Sequence, residues 1–97
     1  MMRHCYIVFY DICDPKRLRH VFKTMKGYGE HIQYSVFLCR LNKQKLLKMR
    51  KTLSGIIDPD EDQIITINIG PEHLLPKLDI THLGLQPGIE IRSAVVI

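Results

Sequence analysis

The sequence predicts an α+β domain in which an antiparallel sheet carries two helices on one face. Three observations predict this class: strand-like and helix-like segments alternate, the first strand is apolar on both sides, and the chain has 97 residues. A chain of that length favours a single domain, here residues 1–97. We expect its core to span residues 5–69 and a C-terminal arm and strand to occupy residues 70–97.

The first two predicted elements are a strand over residues 5–11 and a helix from Pro15 to Lys26. The strand is apolar on both sides, which is typical of a central strand covered on both faces. Asp14 is a suitable N-cap, and Pro15 suits the first helical position. The helix has an apolar side made of Leu18, Val21, Phe22 and Met25, and a cationic side made of Lys16, Arg19, Lys23 and Lys26.

Further strands and a second helix follow. A second strand is predicted from Ile32 to Cys39, and any additional strand around residues 37–41 would be short. The alternation of side chains along the second strand places on one face Gln33, Ser35 and Phe37. The second helix is predicted to begin near Asn42 as its N-cap. The residues that it is predicted to bury are Leu46, Leu47, either Met49 or the stem of Arg50, Leu53, Ile56 and Ile57. Another strand is predicted from Ile64 to Ile69.

The C-terminal part is predicted to be an irregular arm over residues 70–88 and an apolar strand over residues 89–97. Such a strand is too hydrophobic to remain an exposed edge, so we expect it to pair with a sheet, which can belong to a second copy. The order β-α-β-(β)-α-β plus a terminal strand is the ferredoxin-like, split β-α-β arrangement. Because its helices cover one face only, we expect a homodimer packed sheet to sheet.

Composition argues against a membrane protein and against a disulfide framework. Hydrophobic residues make up 45% of the chain and charged residues 25%, as in soluble globular proteins. No segment approaches the roughly 20 apolar residues of a membrane span, and the N-terminus lacks the apolar run of a signal peptide. A cytosolic protein with no membrane partner is therefore expected. The cysteines Cys5, Cys13 and Cys39 lack C-x-x-C spacing, which favours buried thiols over a zinc site.

The net charge of +4 hides an uneven distribution. Residues 1–51 carry 12 Lys or Arg against 3 acidic residues, a net +9, whereas residues 52–97 carry 2 against 7, a net −5. The positive half suits nucleic acid, because neutralising phosphates releases counterions. The alternative for any one of these Lys or Arg residues is that it simply lies on a solvent-exposed helix face. Aromatic residues such as Phe37 are likewise either base-stacking or core residues.

Asp11 is a lone carboxylate at the end of the apolar first strand. In a two-fold dimer a residue near the axis meets its own copy, and two carboxylates there need a shared proton or a divalent cation. Mg²⁺ prefers carboxylate oxygens and supports attack on a phosphodiester, so Asp11 is a candidate ligand for one Mg²⁺ per dimer. A turn-capping role for Asp11 is the open alternative. The sequence has no Gly-rich phosphate loop, nucleophile elbow or Cys/His dyad spacing.

Three stretches resemble a known family: Tyr6 to Arg17, Gly27 to Phe37 and Asp58 to Ile64. They are similar to the small CRISPR-associated protein that partners the spacer integrase, a family also called CRISPR-associated endoribonuclease. The resemblance implies a ferredoxin-like homodimer whose Asp11 carboxylates lie across the interface and bind Mg²⁺. It also implies binding of RNA or double-stranded DNA, nuclease activity in some members, and a bridging role between integrase dimers.

By motif position, the resemblance implies a set of site residues. The candidate catalytic residues are Asp11, Tyr10, Ser35 and Phe37, and the candidate nucleic-acid-binding residues are Arg17 and Arg19. The charge pattern of the first helix, not the resemblance, adds to the nucleic-acid-binding set Lys16, Lys23 and Lys26. Two positions depart from the family pattern, namely His31 where Arg is frequent and Leu38 where an acid often follows Ser-Val-Phe. Without that acid there are fewer carboxylates for a metal, which weakens the nuclease interpretation more than the binding one.

Three functions follow as hypotheses. The leading one is a dimeric, nucleic-acid-binding protein of CRISPR adaptation with a Mg²⁺-dependent endonuclease site. The second is a non-catalytic bridge that binds duplex DNA through its basic faces and docks the spacer integrase through its C-terminal strand. The third is a toxin-type ribonuclease of the same fold, which would need a cellular target RNA.

Overall fold

The computed structural model describes residues 2–75 and 79–84. Its elements in chain order are β1 (His4–Asp11), α1 (Pro15–Lys26), β2 (Gly29–Gln33), β3 (Val36–Leu41), α2 (Lys43–Ser54), β4 (Gln63–Pro71) and a single 3₁₀ turn (Glu72–Leu74). The four strands form one sheet in the order β2-β3-β1-β4, and all three neighbouring pairs are antiparallel. This confirms the predicted α+β, ferredoxin-like class. No helix in the described ranges is long and apolar enough to cross a membrane.

Both helices begin at the predicted N-caps. The Asp14 carboxylate accepts the backbone N–H groups of Lys16 at 3.0 Å and Arg17 at 2.9 Å, and Pro15 takes the first helical position. The Asn42 amide oxygen accepts the N–H of Lys45 at 2.8 Å. These side chains satisfy donors that the first turn of a helix leaves unpaired, so local chemistry sets both start points.

The hydrophobic core lies between the sheet and the two helices. One side of β1 and of β3 packs there against the buried residues of both helices. The core residues are Tyr6, Val8, Tyr10, Ile12, Val21, Met25, Phe37, Cys39, Leu41, Met49 and Leu53. The helices therefore cover the face of the sheet to which Tyr10 and Phe37 belong.

The opposite face of the sheet is also apolar. We call it the open face, and it consists of Ile7, Phe9, Val36, Leu38, Ile65 and Ile67. Ile7 pairs with Leu38 and Ile67, and directly opposed residues of antiparallel strands share a face. Ile65 is 36% exposed and Ile67 45% exposed, so the apolar open face of β1 extends into β4 and is partly accessible there.

One predicted strand is wrong. Residues 32–39 do not form a single strand, because β2 and β3 are the two arms of a hairpin that turns at Tyr34 and Ser35. Tyr34 has a positive φ of 34°, an uncommon conformation for a residue with a side chain. The His31 Nε2 atom lies 2.7 Å from the Tyr34 carbonyl oxygen and supports the turn. Gln33, Ser35 and Phe37 consequently do not share a strand face.

Smaller differences concern the burial of side chains. Leu47 is 56% exposed, so its predicted burial is wrong, whereas Met49 and Leu53 are buried as predicted. Cys5 and Cys39 are buried, and burial raises the pKa of Cys39 to about 11, but Cys13 is exposed and does not fit the expectation of buried thiols. The predicted strand over residues 89–97 lies outside the described residues.

Candidate functional site

Asp11 is the last residue of β1 and is exposed. It pairs with Gln63 of β4, and the two-residue period of a strand places it on the same side as Phe9, which is the open face. Within the described residues, no hydrogen bond or ion pair reaches its carboxylate. The side chains that hold the following loop are Asp14 and Asp62, so the turn-capping alternative for Asp11 finds no support.

The donor set at Asp11 suits a hard cation only if a second chain contributes. No group of three or more His, Cys, Asp or Glu side chains is assembled within the described part of the chain. One chain therefore offers a single exposed carboxylate on the open face. Mg²⁺ is usually held by one or two carboxylates and several waters, and a two-fold pair of Asp11 residues would supply two.

Asp62 is a second carboxylate at this end of the sheet, and its side chain has no exposed surface. Its Oδ1 accepts the Cys13 N–H at 2.9 Å and Nη2 of Arg17 at 3.2 Å. Its Oδ2 accepts Nε of Arg17 at 2.7 Å and the Asp58 N–H at 2.8 Å. The hydrogen bond from Arg17 is the main reason that the pKa of Asp62 lies well below its usual range. All of its acceptor capacity is used inside the chain, so Asp62 is not a second metal ligand.

Arg17 is held within the chain and does not extend toward solvent as a predicted phosphate contact would. Besides its contacts with Asp62, its Nη2 donates to Glu61 Oε1 at 3.0 Å. The Arg17 side chain is 26% exposed. The four other predicted cations of α1 are exposed, namely Lys16, Arg19, Lys23 and Lys26.

The predicted catalytic residues Tyr10 and Phe37 lie on the helix-covered face, opposite Asp11. Phe37 has no exposed surface, and its ring lies 6.3 Å from that of Tyr10, 5.8 Å from Phe22 and 5.0 Å from His31. Burial raises the pKa of the Tyr10 hydroxyl, which has no hydrogen-bond partner among the described residues and stays protonated at neutral pH. The structure therefore does not bring either ring to the Asp11 carboxylate.

Ser35 is placed differently. It lies half-buried in the turn between β2 and β3, and its carbonyl oxygen accepts the Tyr10 N–H at 3.2 Å. The turn is thus next to the end of β1, one residue from Asp11. Unlike Tyr10 and Phe37, Ser35 is not part of the hydrophobic core, and it lies at the same end of the sheet as Asp11.

Cys13 is an exposed thiol two residues beyond Asp11. Its Sγ donates to the Glu61 carbonyl oxygen at 2.9 Å. Desolvation, followed by the charges of Asp62 and Asp11, raises the pKa of this thiol. The thiolate is the nucleophilic form of cysteine, so the raised pKa disfavours Cys13 as a nucleophile at neutral pH.

A family model described as CRISPR associated protein Cas2 matches residues 2–74 of the chain. The chain belongs to the Cas2 family. A Rhodospirillum rubrum relative, named CRISPR-associated endoribonuclease Cas2 1, is 50% identical over 68 residues, which are 70% of this chain and 67% of the relative. A Geobacter sulfurreducens relative, named CRISPR-associated endoribonuclease Cas2, is 38% identical over 97 residues, covering 99% of this chain and 100% of the relative.

Solved structures, one of them named Cas2, share the fold. Streptococcus pyogenes Cas2 matches with a TM-score of 0.68 and 30% identity, covering 80% of this chain and 99% of that one. A hypothetical protein from Thermus thermophilus matches with a TM-score of 0.72 and 28% identity, covering 88% and 95% of the two chains. The recognised family and its fold are thus confirmed.

Two residues depart from the Cas2 pattern that the sequence led us to expect. Leu38 is 1% exposed in β3, at a position where a carboxylate would be buried between neighbouring strands. His31 packs edge-on against Phe22 at 4.9 Å and stacks on Phe37. Both side chains are therefore accommodated as packing residues. At the end of the sheet that carries Asp11, the carboxylate that accepts both a guanidinium and backbone N–H groups is Asp62.

The site prediction left out the cations of α2. All five are exposed, and the salt bridges found within the described ranges include none of them. They are Lys43, Lys45, Lys48, Arg50 and Lys51. At helical spacing Lys48 and Lys51 lie opposite Met49 and Leu53, and the other three flank them, a pattern that the sequence itself shows. Together with the cations of α1 they form a basic surface on the helix layer, on the other side of the sheet from Asp11.

The structure also contains a cleft of about 250 Å³ between the end of α2 and β4. Its lining residues are Arg50, Leu53, Ser54, Ile57, Ile64 and Thr66. Ile64 and Thr66 pair with Tyr10 and Val8, so the cleft opens on the helix-covered face. It is separate from the candidate site at Asp11.

Proposed function

We propose that the protein is a nucleic-acid-binding homodimer of CRISPR adaptation that hydrolyses phosphodiester bonds with Mg²⁺ held between two Asp11 carboxylates. The observation that carries the proposal is the position of Asp11, an exposed carboxylate at the rim of an apolar sheet face. The names of the relatives, endoribonuclease or endonuclease, support nuclease activity.

The open face supports the dimer. Two packed sheets normally bury apolar side chains between them, and Ile65 and Ile67 remain substantially exposed in the single chain. An isologous interface through this face would bring equivalent residues near a two-fold axis. Asp11 lies on the same face, two residues beyond Phe9, so the same packing would bring its two copies toward each other.

In this proposal the carboxylates and the cationic side chains have separate roles. The two Asp11 carboxylates bind the cation, and when bound, Mg²⁺ supplies charge neutralisation at the phosphodiester and lowers the pKa of attacking water. Lys16 and Arg19, near the start of α1 at the same end of the sheet, hold backbone phosphates. Arg17 does not belong to this set, because its guanidinium donates to Asp62 and Glu61.

Replacing Asp11 by asparagine tests the metal site. Asp11→Asn keeps the size of the side chain but removes the charge that binds Mg²⁺, and we expect cleavage of RNA and duplex DNA to fall at least about 100-fold. Asp14→Asn is the matched control: it removes one carboxylate three residues away, and asparagine is as good an N-cap as aspartate. Cleavage that survives in Asp11→Asn would show that the proposed role of Asp11 is wrong.

The dimer has its own test. Ile67→Lys places a charge on the open face, and we expect it to convert the dimer to a monomer in sedimentation equilibrium. Leu47→Lys is the control, because Leu47 is similarly exposed, at 56%, but lies on α2. If Ile67→Lys remains as dimeric as Leu47→Lys, the open face is not the interface.

A second candidate function is the non-catalytic bridge that binds duplex DNA and the spacer integrase. In its favour, the described part of the chain offers one free carboxylate at the site, while both helices carry exposed cations. This function predicts that spacer acquisition survives in Asp11→Asn although cleavage is lost. It also predicts DNA affinity that falls steeply with salt, and a slope near zero would refute a role for the basic surface. Deleting residues 89–97 should weaken integrase binding, whereas an unchanged complex would refute docking through that segment.

A further inference from the structure

The Asp62 carboxylate is saturated by donors from three separate parts of the chain. They are the Cys13 N–H in the loop after β1, the Arg17 guanidinium in the first turn of α1, and the Asp58 N–H at the start of the turn before β4. A carboxylate has about four lone-pair sites, and four donors lie within 3.2 Å of this one. A buried group with this set of partners holds its neighbours in one arrangement.

This arrangement holds the backbone beside Asp11 at two points. On one side, Asp62 precedes Gln63, whose backbone pairs with that of Asp11 in the sheet. On the other side, Asp62 binds the N–H of Cys13, two residues beyond Asp11. The strand end that bears Asp11 is therefore fixed to Asp62 through both the adjacent strand and the following loop.

We propose that Asp62 is a positioning residue that sets the location of the Asp11 carboxylate for metal binding, with Arg17 acting through Asp62 and not on nucleic acid. This inference rests on the proposed function. In a two-fold dimer, a displacement of Asp11 occurs in both copies, so the separation of the two carboxylates changes by up to twice the displacement in one chain. Mg²⁺ tolerates little of this, because it demands near-ideal octahedral geometry at about 2.0 to 2.1 Å.

The contacts of Arg17 support the same assignment. Its Nε and Nη2 atoms, one edge of the planar guanidinium, face Asp62 in the two-point geometry that suits a carboxylate. Nη2 is also shared with Glu61. This edge, one of the two through which an arginine makes a two-point contact with phosphate, is thus occupied within the chain. The cations Lys16 and Arg19, on either side of Arg17 in sequence, are exposed and remain available.

Metal binding by the intact dimer tests the inference directly. Mn²⁺ binding is measured by electron paramagnetic resonance for the wild type, Asp11→Asn, Asp62→Asn and the control Glu61→Gln. An asparagine at position 62 turns an amide NH₂ toward donors of Arg17 or Asp58, so we expect Mn²⁺ affinity to fall at least about tenfold although the ligand Asp11 is intact. Glu61→Gln removes the same charge one residue away, from a side chain that is 57% exposed, and should bind Mn²⁺ like the wild type.

The outcomes separate the inference from the function on which it rests. If Asp11→Asn binds Mn²⁺ as well as the wild type, the proposed metal site is wrong and the inference falls with it. If Asp11→Asn loses binding but Asp62→Asn retains it, only the positioning role of Asp62 is overturned. Each variant is first checked for cooperative melting and for dimer formation.

A second variant covers the case in which Asp62→Asn does not fold. Arg17→Lys keeps the positive charge but loses the two-point contact with Asp62. We expect it to weaken Mn²⁺ binding while leaving the affinity for duplex DNA and its salt dependence within about twofold of the wild type. The reverse result, unchanged Mn²⁺ binding with weakened DNA binding, would make Arg17 a phosphate contact and would overturn the inference.

Discussion

Replacing Phe37 by alanine distinguishes a core role from a catalytic role for this residue. The side chain has no exposed surface, and its ring packs among those of Tyr10, Phe22 and His31 with centroids 5.0 to 6.3 Å apart. It lies on the helix-covered face, on the other side of the sheet from Asp11. Its removal should therefore reduce stability and leave the chemistry of the folded protein unchanged.

The expected loss of stability is large for a domain of this size. Truncating a buried phenylalanine costs about 3 to 5 kcal/mol, the sum of lost apolar burial and the cavity left behind. For small domains each kcal/mol lowers the melting temperature by about 4 to 8 °C, so we expect a decrease of roughly 12 to 40 °C. A total stability of about 10 kcal/mol would still leave more than about 99% of the molecules folded at 25 °C.

Two measurements on the same sample check this prediction. Thermal unfolding by circular dichroism gives the melting temperature, and cleavage is assayed at a temperature where both proteins are folded. We expect Phe37→Ala to cleave within about twofold of the wild type, and Phe37→Leu, which leaves a smaller cavity, to melt between the two. A variant that melts within a few degrees of the wild type but has lost cleavage would refute the core assignment and restore Phe37 to the active site.

Three further predictions concern stability. Leu53→Ala should lower the free energy of unfolding in urea by about 2 to 5 kcal/mol, whereas Leu47→Ala on the exposed side of the same helix should change it by less than about 0.5 kcal/mol. Asn42→Ala should cost about 1 kcal/mol in the same assay, because the first turn of α2 loses its side-chain acceptor, and no change would mean that Asn42 does not act as a cap. The lowered pKa of Asp62 means that the folded protein holds its proton less tightly than the unfolded chain. The melting temperature should therefore decline as pH falls below about 4, and it should do so less steeply in Asp62→Asn.

The helices were predictable because their signals are local. At both helix starts a short polar side chain, Asp14 or Asn42, stands next to a run with helical spacing, and each accepts N–H groups from its own first turn. No distant part of the chain is needed to form these contacts. The fold class followed from the order of the elements, since few arrangements of this β-α-β pattern bury the apolar sides of both helices.

The hairpin between β2 and β3 was missed because its turn lacks the usual signal. Residues 34 and 35 are Tyr and Ser, whereas a tight turn with positive φ ordinarily shows Gly or Asn. The conformation of Tyr34 is supported from elsewhere in the fold: His31 hydrogen-bonds to its carbonyl group, and the end of β1 donates to Ser35. The contact between Arg17 and Asp62 spans 45 residues of sequence, so no local pattern could predict it.

The sequence motif around Asp11 contains both core residues and residues of the candidate site. Adjacent residues of a strand point to opposite faces, so Tyr10 and Asp11 cannot serve the same site within one sheet although they are neighbours in the motif. Tyr10 belongs to the core, where its partner is Phe37, and Asp11 belongs to the open face. In this motif, the residue on the helix-covered face serves the core, and the residue on the open face serves the proposed site. The proposed metal site then depends on a single carboxylate per chain, and in the proposed dimer the second carboxylate comes from the copy that packs on the open face. The contact between Arg17 and the buried Asp62 carboxylate in each chain would then determine whether the two Asp11 carboxylates of the proposed dimer meet at the distance a metal requires.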